Sequence, residues 1–269
     1  MSRLYPILFF FQNRFLSRRW DSFHSPYLFK LFTYCCDDQN DFDDFPFIEQ
    51  KRKSLLRSGD KIKRIDYGTG KENKNLTTEE LISKIARRSL SLPFQCRFLY
   101  RLMKLMKPKV ILEFGTSLGI TASYMAKGSV ESMVITVEGD PGLVEKAIEV
   151  FSELETGNIQ IVNSTFEDYL HDGLQEITSI DFLFLDGNHK SGPLISYYQA
   201  LRPKFNSSTI VMVDDIYWSK DMQEGWATLI KMPEVTQSVD CYHFGLLFFN
   251  PDFLDKENHM IKLPLKSFL

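Results

Sequence analysis

Hydrophobic and polar positions alternate in a regular way from residue 109 onward. Lys109-Val-Ile-Leu-Glu-Phe114 is an apolar run of strand length, and Gly115 and Gly119 bracket a tight turn. Ile120, Ala122, Tyr124, Met125 and Ala126 then continue at spacings a helix allows, so the stretch predicts strand, turn, helix. The pattern repeats. Residues 133–137 read as a strand closed by Glu138-Gly139-Asp140. Asp140 can cap and Pro141 can open a helix with Leu143, Val144, Ala147, Ile148, Phe151 and Leu154 on one face. Further strands are predicted at 159–162, 181–186, 209–213, 235–239 and 244–249. Helices are predicted at 166–177, at 193–202, and after Ser219, with Met222, Trp226, Leu229 and Ile230. Strands and helices alternating at these spacings predict an α/β fold with a doubly wound, mostly parallel sheet.

The first 107 residues read differently. Thr77-Thr78-Glu79-Glu80 has the pattern of a capping box before Leu81, Ile82, Ile85 and Ala86. Pro93 suits a first helical turn, and Phe94, Phe98, Leu99, Leu102 and Met106 follow at helical spacing. Residues 1–107 are therefore expected to be a mainly helical cap or interaction region, and residues 108–269 the functional domain. The apolar patch at 4–11 is shorter than the roughly 20 residues a membrane span needs. It is followed by Gln12-Asn13-Arg14 instead of a small-residue cleavage site, which argues against a signal peptide. Residues 7–20 can form a basic amphipathic helix, with Phe10, Phe11, Phe15 and Trp20 set against Arg14, Arg18 and Arg19. Weak membrane-surface association is one reading of it. Packing on its own domain, or on a second copy to form a homodimer, is the favoured one. The acidic run from Asp37 to Asp44 and the glycine-containing stretch at 66–75 read as loops.

Composition adds bounds. The 269 residues are 25% charged and 43% hydrophobic, with a formal net charge of −3, which gives no reason to expect nucleic-acid binding. Cys35, Cys36, Cys96 and Cys241 match neither a zinc site nor a disulfide framework, and a reduced, cytoplasmic protein is expected.

Candidate chemistry gathers where the strands end: Glu113, Glu138, Asp186, Asp214 and Asp215 all fall at or near a strand's last residue. In a parallel sheet those ends share one edge. Gathered carboxylates need a cation, a proton or hydrogen-bond donors among them. The turn lacks the Gly-x-Gly-x-x-Gly of dinucleotide sites, since Ser117 and Ile120 follow Gly115, and no phosphate-cradling Gly-x-x-x-x-Gly-Lys-Ser/Thr is present.

What stands there, Glu113-Phe-Gly115-Thr116-Ser117-Leu-Gly119, resembles the first motif of class I S-adenosylmethionine-dependent methyltransferases. The resemblance implies a Rossmann-like sheet, for which seven strands with the last antiparallel are expected. It also implies a glycine loop passing under the methionine and ribose of the cofactor. Glu138, 19 residues past Gly119, falls where an acidic residue accepts the ribose hydroxyls, with Gly139 beside it. Thr165 and Phe166, after the third strand, fall where the family holds the adenine. Asp186-Gly187-Asn188-His189 and Asp214-Asp215 carry the resemblance on to the catechol-type, small-molecule O-methyltransferase branch. There, carboxylates after the fourth and fifth strands bind magnesium, which holds the acceptor oxygens. Asp186 and Asp214 match, and Asp215 replaces the usual Asn. The resemblance thus implies cofactor, metal and catalytic roles for Asp186, and it puts His189 near the position of a lysine beside the reacting hydroxyl, where an imidazole could take the proton or instead ligate the metal. Tyr217, Trp218 and Trp226 could wall the acceptor pocket or equally belong to the core. The expected activity is methyl transfer to a hydroxyl of a small molecule. Alternatives are an N- or C-methyltransferase without metal, an NAD(P)-binding oxidoreductase and a non-catalytic cofactor-binding module.

Overall fold

The computed structural model describes residue 15 and residues 17–36, 41–65, 77–253 and 255–263. In chain order the strands are β1 (Arg18–Arg19), β2 (Lys61–Ile65), β3 (Thr77–Leu81), β4 (Val110–Phe114), β5 (Met133–Glu138), β6 (Ile159–Asn163), β7 (Ile180–Leu185), β8 (Phe205–Asp214), β9 (Gln237–Asp240), β10 (Phe244–Phe248) and β11 (Glu257–Lys262). The helices are α1 (Pro26–Cys36), α2 (Asp44–Arg57), α3 (Ile82–Ser89), α4 (Pro93–Met106), α5 (Ile120–Gly128), α6 (Pro141–Glu153), α7 (Phe166–Asp172), α8 (Ser191–Leu201) and α9 (Lys220–Leu229).

Nine strands form one sheet in the order β1-β11-β9-β10-β8-β7-β4-β5-β6, and β2 pairs only with β3. Within the large sheet β10 runs antiparallel to β8 and β9, and the remaining pairs are parallel. This is the expected Rossmann-like, doubly wound α/β architecture. Its strand count differs: the expected seven strands, the last one antiparallel, are joined at the β9 edge by β11 and β1. Glu257-Asn-His-Met-Ile-Lys262 shows no apolar run because an edge strand needs to bury little, and only Ile261 in it is buried.

Central strands read as continuous apolar runs because both faces are covered. Ile111, Phe182, Phe184, Ile210 and Met212 point to one face, where α1 and α4 supply Leu31, Phe32, Phe98 and Leu102. Leu112, Leu183, Leu185, Val211 and Val213 point to the other, against Leu194 and Tyr198 of α8 and Trp226 of α9. A third cluster joins Phe45, Ile48, Ile82 and Ile85 to Ile120, Tyr124 and Leu143, so the N-terminal helices share cores with the sheet's own helices.

The cap expectations divide. Asp140 accepts from the Gly142 N–H and Ser219 from the Met222 N–H, as their positions predict. Thr77 is a correction: it opens no helix, because residues 77–81 pair antiparallel with 61–65 and Glu80 is drawn to Arg64 and Arg88 instead of closing a capping box. The N-terminal region is accordingly less purely helical than its pattern suggests. Of the basic helix expected over 7–20, residues 7–14 and 16 lie outside the described residues, as do Asp37, Asp38 and residues 66–75. Arg18–Arg19 is extended and pairs with Ile261 and Lys262. Among the described residues no helix is long and apolar enough to cross a membrane, and no disulfide joins the four buried cysteines.

Candidate active site

Strand register puts the chemistry on one edge. Phe114 lies opposite Val137 and Leu185, and Leu185 opposite Val213, so the turns that follow, carrying Gly115, Glu138, Asp186 and Asp214, open on the same side. There they line a cavity of about 1020 Å³.

The glycine turn is held by sterics. Gly115 has φ +108°, and a Cβ there would sit 2.1 Å from the Asp186 carbonyl oxygen. Gly119 has φ +77°, and its Cβ would meet the Phe151 ring at 2.6 Å. Both conditions require glycine. Between them Ser117 also takes positive φ, 48°, and presents its N–H to Glu138 Oε2 at 2.9 Å. The other oxygen of Glu138 accepts from the Asp140 N–H at 3.0 Å. Burial raises the Glu138 pKa, and these two N–H groups work against that rise.

Glu113 lies beneath the turn, fully buried and outside the cavity wall. The Thr136 hydroxyl donates to its Oε2, Thr116 joins Thr136, and Oε1 has no hydrogen-bond partner. Burial, with the nearby Glu138 charge, pushes the Glu113 pKa up to about 8. Thr116, Glu113 and Gly119 therefore support the turn from behind. Gly115, Ser117, Glu138, Gly139, Thr165, Phe166, Asp186, Asp214, Asp215 and His189 all reach the cavity wall. Phe166 stacks on Phe114 with ring centroids 4.8 Å apart, and Thr165 caps α7 by accepting from the Asp168 N–H.

Three carboxylates crowd the far end. Asp186 is raised well above the usual carboxylate range, first by burial and then by the charges of Asp214 and Asp215. Asp214 is pushed up to about 8 by burial and by Asp215, and Gln95 opposes the rise by donating from Nε2 to Asp214 Oδ1 at 2.6 Å. Burial raises Asp215, and the nearby His189 lowers it. Asp215 takes φ +51° while its N–H donates to the His243 carbonyl at 2.7 Å. His189 lies against Trp218, ring centroids 5.7 Å apart. The anticipated ligand set is thus gathered, yet among the described residues no three His, Cys, Asp or Glu side chains form a group that could hold a metal ion.

Several wall residues lie outside the strand-end pattern. Arg64, Arg88 and Gln95 come from β2, α3 and α4, and His243 from the β9–β10 turn. Burial lowers the His243 pKa to about 4, so its imidazole is neutral at pH 7. One signal for Gln95 was legible: it heads the stripe continued by Phe98, Leu99 and Leu102, where a polar residue faces inward. Arg64 and His243 carried no such signal.

Residues 112–216 match a family model described as a methyltransferase domain. No curated protein matches the chain. Among solved structures, the chain is similar to the O-methyltransferase TomG of Streptomyces achromogenes, involved in tomaymycin synthesis and solved in complex with SAM. The identity is 19%, over 60% of this chain and 82% of that one, with TM-score 0.54. An SAH-bound methyltransferase of Podospora anserina aligns over 85% of this chain and 97% of its own at 15% identity and TM-score 0.55. The O-methyltransferase of Bacillus cereus in complex with SAH aligns over 81% and 97% at 14% identity and TM-score 0.54. At these identities the likeness is one of fold.

Proposed function

We propose, from the match of residues 112–216 to a family model described as a methyltransferase domain, that the chain transfers a methyl group from S-adenosylmethionine to a hydroxyl of a small molecule. The observation that carries the reading is one cavity lined by the glycine turn, by Glu138 and by Asp186, which come from three different strand ends. The residues suit the cofactor. Glu138 can accept from the ribose hydroxyls, Phe166 and Thr165 can flank the adenine, and the Gly115–Gly119 backbone runs under the rest.

Bound S-adenosylmethionine would supply an activated methyl group on a sulfonium. His189 takes the proton of the acceptor hydroxyl, with Asp215 beside it, whose carboxyl pKa is raised by burial and lowered by the nearby imidazole. Trp218 and Tyr197 wall the cavity and limit water. A metal-assisted form of the reaction would rest on Asp186, Asp214 and Asp215. As arranged they do not converge as a ligand group, so no step is assigned to a metal. A cytoplasmic location belongs to the same proposal, since the four cysteines are spaced for neither a zinc site nor a disulfide framework. Tyr27 and Phe29, 45% and 43% exposed on α1, support a homodimer through the N-terminal helices.

Isothermal titration with S-adenosylmethionine, S-adenosylhomocysteine and NAD tests the cofactor. Binding of the first two, lost in Glu138→Ala, is expected; binding of NAD alone contradicts the reading. Transfer of a labelled methyl group to 3,4-dihydroxybenzoate, measured with and without EDTA and added magnesium, tests the acceptor chemistry and the metal.

A further inference from the structure

Arg64, at the end of β2, is only 18% exposed and lies between two carboxylates. Its Nε donates to Asp140 Oδ2 at 2.8 Å and its Nη1 to Glu80 Oε2 at 2.9 Å. The Ile65 N–H adds a second bond to Asp140 Oδ2 at 3.2 Å. Asp140 is almost wholly buried, and its own N–H is one of the two that hold the Glu138 carboxylate. The contact is tight on the backbone side as well: a Cβ on Gly142 would lie 1.9 Å from the Lys63 carbonyl oxygen. The β2–β3 hairpin therefore rests directly on the turn that presents Glu138, and Arg64 is part of the cavity wall beside it.

We propose that Arg64 is a positioning and selectivity residue of the cofactor site: by clamping Asp140 it fixes the turn that aims the Glu138 carboxylate into the cavity. Two effects run together. The ion pair restrains the backbone N–H that orients Glu138 Oε1. The guanidinium also places positive charge near Glu138, which counters the burial that would protonate it. A carboxylate can accept from two hydroxyls only while ionised and held, so both effects favour a ribose. The inference rests on the reading of the cavity as an S-adenosylmethionine site.

Titration of the intact protein with S-adenosylhomocysteine tests it. Arg64→Met, which keeps much of the apolar stem, should raise Kd about tenfold or more, and Arg64→Lys should recover part of the loss. Gly142→Ala, which wedges the hairpin off the turn without altering any charge, should weaken binding in the same direction. Lys61→Ala, which removes an exposed pair with Glu79 on the same hairpin, should leave Kd within about twofold. Thermal unfolding of each variant separates a lost clamp from a lost fold: Arg64→Met should still unfold cooperatively within a few degrees of wild type. Unchanged Kd in Arg64→Met and Gly142→Ala, with wild type binding normally, overturns the clamp and leaves the cofactor reading standing. An equal loss in Lys61→Ala, or global unfolding of Arg64→Met, also overturns it. Wild-type protein that binds neither S-adenosylmethionine nor S-adenosylhomocysteine overturns both.

Discussion

The β4–β8 segment and the segment from α2 to the start of α4 both supply wall to the same cavity, by different means. The first works through register: once its strands align, Gly115, Glu138, Asp186 and Asp214 must share an edge. The second works through reach. Arg64 spans 76 residues to Asp140, Gln95 spans 119 to Asp214, and Ser89 spans 28 to Ser117, with their hydroxyl oxygens 2.7 Å apart. Each of three strand-end turns thus receives one side chain from the N-terminal segment. The register-built wall is the part the methyltransferase family model covers, and the reach-built wall lies outside it. A site can therefore lie half inside and half outside the segment a family pattern covers.

The comparison can be broken at its glycines. Gly115→Ala should destabilise the protein by roughly 3 kcal/mol or more, because the substitution meets both a left-handed backbone and a carbonyl oxygen. Gly59→Ala, in the reach-built segment, has open space around it and should stay within about 0.5 kcal/mol. Denaturant unfolding of the two variants measures this, and equal losses would show that the register-built turn is no more constrained than the hairpin approach.

A pH series sharpens the same contrast. Glu113 is held near a pKa of about 8 when folded and titrates in the ordinary carboxylate range when unfolded. The folded form then keeps a proton that the unfolded form releases. Its contribution is present below about pH 4.5 and is lost as pH rises toward 8. Glu113→Gln should flatten the fall in stability across that window by about 1.4 kcal/mol per pH unit. The remaining slope belongs to the other buried acids. An unchanged slope would mean that Glu113 is ionised in the fold.

A smaller loss tests the other wall. Gln95→Ala removes the donor to Asp214 Oδ1 and should cost about 1–2 kcal/mol once Asp214 ionises at pH 8 and above, with the loss shrinking at lower pH as Asp214 takes up a proton. Urea unfolding at pH 6 and pH 8 reads this. A loss independent of pH would assign Gln95 to packing alone.

Legibility follows the same division. The glycine turn, the strand-ending acids and the Asp140 and Ser219 caps could be read from sequence because each is a local pattern with a local cause. Arg64 could not be, since what distinguishes it from Lys61 or Lys63 is a partner brought near only by folding. The edge strands β1 and β11 escaped because strands that bury little need no apolar run. The capping box at Thr77 misled because its Glu80 found stronger partners, Arg64 and Arg88, across the hairpin. Asp215, a departure from the pattern the rest of the site resembles, ends near His189 with its N–H on the His243 carbonyl, a neighbourhood that no residue spacing announces.

Hydrogen–deuterium exchange with and without S-adenosylhomocysteine tests most directly whether both walls form one cofactor site. The account predicts new protection at residues 115–119 and 138–142 together with residues 61–65 and 85–95. Protection confined to the strand-end turns, with the N-terminal segment exchanging as before, would contradict it.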